Sequence, residues 1–378
     1  MILCYRYRLY PSNQQSSLLL HHIDICRQLY NTLLSLKHQN IGRRQLQSLL
    51  PEMKQRNPEL AEVYSKVLQM VNIQLHHNLS ALHEARLRGR KVGRLRFKPV
   101  SRYRTLNYNQ SGFSLSADGR KLSLSKIGSI NIKLHRPIAG KVKGVLITHS
   151  HSGKWFAVFQ CDQSPNHLPQ SNRSVGIDIG LKYFLSDSDG RQIENPRCYR
   201  KTEQKLKAAE RSLSRKQKGS SNRSKARIKV ARISERFTNQ RDDFLQKLSR
   251  FYINNYGLIA IEDLQIANMA RSRRYSKSIM DASWGKFFQL LSCKAESAGR
   301  KVVRVNPRGT SREYKHGSLD RDYNASLNIL ERGLIQMKMR VGSGRPFVPV
   351  EIRPILAPHQ VPANLIVEAG SPQPFRGG

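Results

Sequence analysis

Three carboxylates in this chain, Asp178, Glu262 and Asp322, sit where a carboxylate needs a reason to be. Asp178 lies in Ser174–Gly190, SVGIDIGLKYFLSDSDG, where Val175, Ile177 and Ile179 alternate around Gly176 and Asp178 before a tight turn at Gly180. A second strand, Tyr183–Leu185, then runs into the turn Ser188-Asp189-Gly190. A carboxylate inside an apolar strand costs several kcal/mol if left unpaired, so Asp178 calls for a cation or a partner. Glu262 lies at the exit of the apolar strand Leu258–Leu264, and Asp322 opens a helix in SLDRDYNASLNIL. Oxygen-only ligands of this kind suit Mg²⁺ or Mn²⁺ and not zinc. Two such ions about 4 Å apart would activate a water and stabilise the leaving 3′ oxygen of a phosphodiester. Taken singly, each residue has a plainer interpretation: an N-cap for Asp322, a strand-end ion pair for Glu262, backbone hydrogen bonds for Asp178. Taken together in a strongly basic chain, a nuclease centre accounts for all three.

The elements that must position them read as strand–hairpin, helices, then strand–helix, the order of a mixed α/β sheet of ribonuclease-H type. In such a sheet the three carboxylates can converge at one edge. Between the first and second carboxylate, LSRKQKGSSNRSK is a charged turn between two helices, and Arg215, Lys216, Lys218 and Lys225 are expected to contact a nucleic-acid backbone. Ala226, Val230, Ile233, Phe237, Phe244, Leu245 and Leu248 share one face of the helix that follows.

Upstream, Ile2–Tyr10 alternates as a half-buried strand, Pro11 stops it, and Ser12 with Gln15 forms a capping box for a helix. Residues 11–88 read as a helical bundle; a helix-turn-helix reader is one interpretation, and plain packing is the one the sequence favours. From Gly89, GRKVGRLRFKPVSRYRTLNY interleaves cations with aromatic rings. Lys91, Arg94, Arg96, Phe97, Lys98, Arg102, Tyr103 and Arg104 thus become candidates for phosphate neutralisation and base stacking. Alternating segments at Phe113–Leu115, Lys121–Leu124, Ile130–Leu134, Gly144–His149 and Trp155–Gln160 imply an antiparallel barrel or small sheet. Gln163–Asn172 reads as a linker, and the proline-rich tail after Gly333 as extended or disordered.

The whole chain of 378 residues carries 66 Lys and Arg against 26 Asp and Glu, a formal charge of +40, which asks for a polyanionic partner. No apolar run approaches a membrane span. Met1–Tyr10 alternates with arginine and does not form the apolar core of a secretory leader. Five scattered cysteines with no CxxC pair fit a reducing compartment, so a cytoplasmic, nucleoid-associated protein is expected.

Several ordered motifs together resemble the TnpB (OrfB-type) proteins of bacterial insertion sequences, relatives of type V CRISPR effector nucleases. They are YRYRLYPSNQQ, CRQLYNTLL, GIDIGLKYF, LSRKQKGSSNRSKARIKVARISERFTNQRDDFLQKLS, IAIEDL, DASWGKFFQLLSCKAESAGRKVVRVNPRGTS and LDRDYNASLNIL. The resemblance implies an α+β fold. Residues 1–10 and 89–170 would form an oligonucleotide-binding-type β-barrel, interrupted by a helical recognition lobe at 11–88. A RuvC-like nuclease domain would span 171–333, with a disordered tail at 334–378. It assigns the catalytic and metal-binding triad to Asp178, Glu262 and Asp322, choosing Asp322 over Asp320 because the family's last ligand precedes an x-N-A element, here Tyr323-Asn324-Ala325. It implies a guide RNA from the transposon end and double-stranded target DNA as partners. Gln74 and the Lys91–Arg104 stretch become candidates for reading the target-adjacent motif or the guide. The departure lies between Thr310 and Asp320, where the family carries two CxxC pairs and this chain has SREYKHGSL. No zinc is therefore expected, and His316 reads as a loop residue. The resulting expectation is an RNA-guided DNA endonuclease. The rivals are a guided DNA-binding protein that does not cut and, further off, a transposase.

Overall fold

Strand β1 (Ile2–Tyr10) ends before Pro11, and the capping box forms as its residues require. The Gln15 N–H donates to Ser12 Oγ at 3.2 Å and the Ser12 N–H to Gln15 Oε1 at 3.0 Å, starting helix α1 (Asn13–Lys37). The computed structural model describes residues 1–37, 41–271, 273–311, 320–337 and 354–355. The chain divides into two compact units, 1–163 and 164–378.

In the first unit α1 is followed by α2 (Arg43–Ser48), α3 (Leu50–Arg56), α4 (Glu59–Glu62) and α5 (Ser65–Leu87). Strands β2 (Thr105–Asn109), β3 (Phe113–Leu115), β4 (Lys121–Leu124), β5 (Gly128–Lys133), β6 (Lys141–His149) and β7 (Trp155–Asp162) come next. They form one antiparallel sheet in the order β2-β6-β7-β1-β5-β4-β3, a nearly closed barrel. The first strand thus enters between strands that lie more than a hundred residues downstream, pairing Tyr5 with Phe159 and Leu9 with Ile132. Helices and sheet share one core, in which Leu29, Leu33, Val67 and Leu75 pack with Tyr108, Ile130, Val145 and Phe159. Strand β2 falls inside the stretch whose cations and rings dominate its sequence, which hid the alternation of Leu106 and Tyr108 toward that core.

His22 on α1 is 1% exposed, and among the described residues its Nδ1 has no hydrogen-bond partner. Burial, aided by His21 and Lys126 and opposed by Glu62, pushes its pKa down to about 4. The unfolded chain takes up a proton near pH 6.5 that the folded chain refuses, so stability present above pH 6.5 is lost as pH falls toward 4. At pH 5 the loss through this one group is about 2 kcal/mol. His22→Leu should flatten the fall in melting temperature between pH 7.5 and pH 5, measured by circular dichroism.

The second unit holds β8 (Ser174–Ile179), β9 (Tyr183–Asp187), β10 (Gln192–Glu194), α6 (Cys198–Ser214), α7 (Ser221–Asn255) and β11 (Leu258–Glu262). It continues with α8 (Ile266–Met269), α9 (Ser276–Ala282), α10 (Trp284–Ala298), β12 (Lys301–Val305), α11 (Arg321–Gln336) and β13 (Pro354–Ile355). The sheet order is β12-β11-β8-β9-β10-β13, with β8, β11 and β12 parallel and β9 antiparallel to both of its neighbours. Odd residues of β8 and β11 (Val175, Ile177, Ile259, Ile261) pack in one core with α7 and α10 residues such as Leu245, Tyr252, Phe287 and Leu291. The opposite face carries Leu258 and Ala260, which pack with Ile329 of α11.

Two expectations change. Only Phe244, Leu245 and Leu248 of the expected apolar face of α7 are buried; Ala226, Val230, Ile233 and Phe237 stay half-exposed, because that half of the helix packs mainly on α6. The terminal helix runs to Gln336, past the expected start of the tail, and Pro354–Ile355 pairs parallel to β10. The rest of the tail lies outside the described residues. Among the described residues no helix is long and apolar enough to cross a membrane.

Candidate functional site

The parallel register places Gly176 beside Ala260 and Ile177 beside Ile261, so the next residues, Asp178 and Glu262, follow on neighbouring strands just past that pairing, each still paired on its other side with Ser186 and Val305. Strand alternation sends both toward the face covered by α11. That helix lies directly on the β8 backbone: a Cβ built on Gly176 would come within 2.1 Å of the Ser326 carbonyl oxygen. Ser326 is one turn beyond Asp322, so the contact brings the first turn of α11 to the end of β8.

The electrostatics report the result. Burial first, then the charges of Glu262 and Asp322, together push Asp178 up to about 8, against Arg321 and the Ile179 N–H. Glu262, 7% exposed, is raised by burial and held back by a hydrogen bond from Thr310 and by Arg332. Asp322 is 21% exposed and pairs with Arg321 at 3.3 Å. The helix cap is Asp320, whose Oδ1 accepts from the Asp322 and Tyr323 N–H groups and from Gln192 Nε2 at 3.3 Å. Asp322 is thereby left out of the capping role. Among the described residues, no three His, Cys, Asp or Glu side chains stand close enough to hold one metal ion between them.

Asp187, at the end of β9, shows what a structural carboxylate in the same sheet looks like. It is fully buried, yet Tyr252 Oη donates to it at 2.9 Å, Arg191 Nη1 at 3.1 Å, and the Asp189 and Arg191 N–H groups at 3.0 and 2.9 Å. Asp178 has no such escort; among the described residues no side chain donates to it. A buried carboxylate that feels the charges of Glu262 and Asp322 and holds its proton up to about pH 8 is an oxygen donor suited to a hard divalent cation that would replace that proton.

The nucleic-acid candidates separate into two groups. Lys91, Arg94, Arg96, Arg102 and Phe97 are exposed, Phe97 by 59%, and so are Arg215, Lys216 and Lys218 on the α6–α7 turn and Lys225 in the first turns of α7. Arg223 holds that turn instead, donating to the Leu213 and Lys216 carbonyls at 2.9 and 2.8 Å behind the Ser220 cap. Tyr103 is a correction: its ring is 5% exposed, packed near Tyr30, and has no face free for a base. Lys98 is half-buried with its ammonium 4.0 Å over the Tyr30 ring, and Arg104 donates to the Ser101 and Ser150 carbonyls. Gln74 on α5 lines a cavity of about 130 Å³ with His77, Thr105 and Asn107. Sequence reasoning missed Thr310, Asp320 and Arg321 as companions of the carboxylates. The N-cap preference for Asp alone flags Asp320; nothing in the sequence flags Thr310. His316 lies outside the described residues.

Comparisons with known proteins agree on a family. Profiles described as "Probable transposase" (residues 158–273), "Helix-turn-helix domain" (1–45) and "Cas12f1-like, TNB domain" (284–318) match the chain. The residues matched by the second hold a strand, one 25-residue helix and the start of another. A Streptomyces pristinaespiralis protein named "Putative RNA-guided DNA endonuclease" is 30% identical over 364 residues, 87% of this chain and 89% of the relative. The Escherichia coli K12 protein InsQ, similarly named, is 30% identical over 57% of each chain. A cryo-EM structure of the Cas12f1–sgRNA–target DNA complex superposes with a TM-score of 0.45 at 11% identity, over 87% of this chain and 98% of that one.

Proposed function

Because the chain belongs to the TnpB (OrfB-type) family of insertion-sequence proteins, we propose that it is an RNA-guided DNA endonuclease with a RuvC-like, ribonuclease-H-type catalytic unit. The observation that carries this reading is Asp178, buried near the end of a central strand of a mixed sheet and feeling the charges of Glu262 and Asp322, in a chain of charge +40. The proposed organisation keeps the barrel at 1–10 and 89–170, the helical lobe at 11–88 and the nuclease domain at 171–333.

Asp178, Glu262 and Asp322 would hold Mg²⁺ or Mn²⁺. Ions held there would supply an activated water and neutralise charge on the leaving 3′ oxygen. The chain's own residues do the rest. The sheet register holds two ligands side by side, and the Asp320 cap fixes the turn that presents the third. Arg321, 69% exposed beside Asp322, can meet the phosphate being cut. Gln74 with the 91–104 stretch is proposed to contact the target-adjacent motif or the guide, and the α6–α7 turn to contact nucleic-acid backbone. Replacing Arg215, Lys216 and Lys218 by Ser should then lower the slope of log affinity against log salt by about 0.9 for each duplex phosphate that is no longer neutralised. A binding titration across a salt series measures it.

The decisive assay co-expresses the protein with transposon-end RNA and offers a guide-matched duplex with Mg²⁺, alongside Asp178→Ala. Cutting by the wild type alone is expected; equal cutting by the variant, or none by either, would sink the enzyme reading. A second reading, guided binding without cutting, is favoured by one observation, the lack of any CxxC pair between Thr310 and Asp320. The same assay decides it when target binding is measured in parallel.

A further inference from the structure

Resting on that nuclease reading, we propose that Thr310 is a positioning residue that sets the plane of the Glu262 carboxylate and so decides which of its oxygens faces the cation. Glu262 ends in a broad torsion with no strong intrinsic preference and has one more rotatable bond than Asp178 or Asp322, so a glutamate ligand has the greater need of an outside constraint. Thr310 supplies it. Its hydroxyl lies 2.5 Å from Glu262 Oε1 and 3.0 Å from the Pro307 carbonyl oxygen. One hydroxyl proton cannot serve both acceptors, and the shorter bond to the charged oxygen takes it. Oε1 is thereby engaged, while among the described residues Oε2 makes no hydrogen bond, so Oε2 is the oxygen left for a cation shared with Asp178.

Thr310 is itself held. It is 1% exposed, just beyond β12, and its carbonyl accepts from Asn328 Nδ2 at 2.9 Å. Asn328 lies on α11, the helix that presents Asp322. One threonine thus ties the second carboxylate to the helix carrying the third, through its hydroxyl on one side and its carbonyl on the other. It also stands at the near end of the segment in which the CxxC pairs are missing, and Asp320, the cap of α11, stands at the far end. Both ends of that short segment are therefore fastened to the centre by residues this chain supplies outside any ribbon. An outer partner of a metal ligand is worth about 10–100-fold in metal affinity.

The test is Mn²⁺ binding to the full-length protein, followed by the electron paramagnetic resonance of free Mn²⁺, in wild type, Thr310→Val, Thr310→Ser and Asp178→Ala. Valine keeps the volume and removes the hydroxyl; serine keeps the hydroxyl. Binding about 10–100-fold weaker in Thr310→Val, restored in Thr310→Ser, with melting temperatures alike, is the expected result. Should Thr310→Val fail to fold, Thr310→Cys replaces the strong donor by a weak one at similar volume and should show the same loss. Wild-type affinity in the hydroxyl-free variant, or equal weakening by Val and Ser, overturns the role of Thr310 and leaves the nuclease reading intact. Wild-type binding no stronger than that of Asp178→Ala overturns the nuclease reading, and this inference with it.

Discussion

Asp178→Asn is expected to end cleavage while making the metal-free protein more stable at alkaline pH. The two effects share one cause. Asp178 binds its proton up to about pH 8 because burial, Glu262 and Asp322 all oppose its charge. A folded pKa raised above the unfolded value means that stability is fully present below about pH 4 and is lost as pH rises through 8. Between pH 6 and pH 8 the metal-free chain should lose on the order of 2 kcal/mol through this group alone. Asparagine carries no charge and escapes that loss. In EDTA at pH 8 the variant should therefore melt above the wild type, and the gap should narrow at pH 6. Adding Mg²⁺ should raise the wild-type melting temperature more at pH 8 than at pH 6, because the ion relieves a repulsion that has grown by then. The variant should respond little to Mg²⁺. Its cleavage should fall beyond the roughly 100-fold that losing an outer partner of a metal ligand costs. Parallel melting curves for the two proteins at every pH would show that burial and the charges of Glu262 and Asp322 do not oppose the Asp178 charge as described.

What could be read in advance follows the range of the forces involved. The cap at Ser12 and Gln15, the alternation in β1 and the buried strand around Asp178 are set by residues a few positions apart, and each formed where the sequence put it. The mixed α+β class followed from the same local patterns. The burial of Tyr103 did not, because its neighbour Tyr30 comes from a helix seventy residues earlier, and only the fold brings the two rings within 6.2 Å. The α7 face misled for a related reason: apolar periodicity states which side of a helix would be buried, and not whether a second helix covers it along its whole length. At the candidate site, Asp178 announced itself by being out of place. Asp187 is more deeply buried than Asp178, yet nothing in DSDG separates a carboxylate met by Tyr252 and Arg191 from one met by other carboxylates. The partners, and not the burial, distinguish the two.

The close approach of α11 to the sheet was also invisible in the sequence, and it makes Gly176→Ala the second large effect expected. A methyl at position 176 would lie 2.1 Å from the Ser326 oxygen, 2.6 Å from the Leu330 nitrogen and 2.9 Å from the Leu330 Cβ. The two nearest are backbone atoms, so no side chain can swing aside; either α11 lifts or β8 bends. A second tight contact pins the same helix, where a Cβ on Gly333 would approach the Ala260 Cβ at 2.6 Å. With its far end fixed, a helix pushed at Ser326 pivots at its start, where Asp322 sits one turn away. Overpacking of this kind costs about 1–3 kcal/mol, and a displacement of about 1 Å at a reacting centre can cost roughly 100-fold in rate. Gly176→Ala should therefore lower the melting temperature moderately and cleavage steeply, with binding of guide RNA unchanged. Gly285→Ala, where an added Cβ meets only the Ile266 Cδ1 at an ordinary 3.9 Å, is the matched control. Loosening α11 should also weaken the influence of Asp322 on Asp178, so the pH at which Mg²⁺ begins to stabilise the protein should move down in the variant. If cleavage falls only in proportion to the folded fraction, the contact at Gly176 supports the fold without placing Asp322.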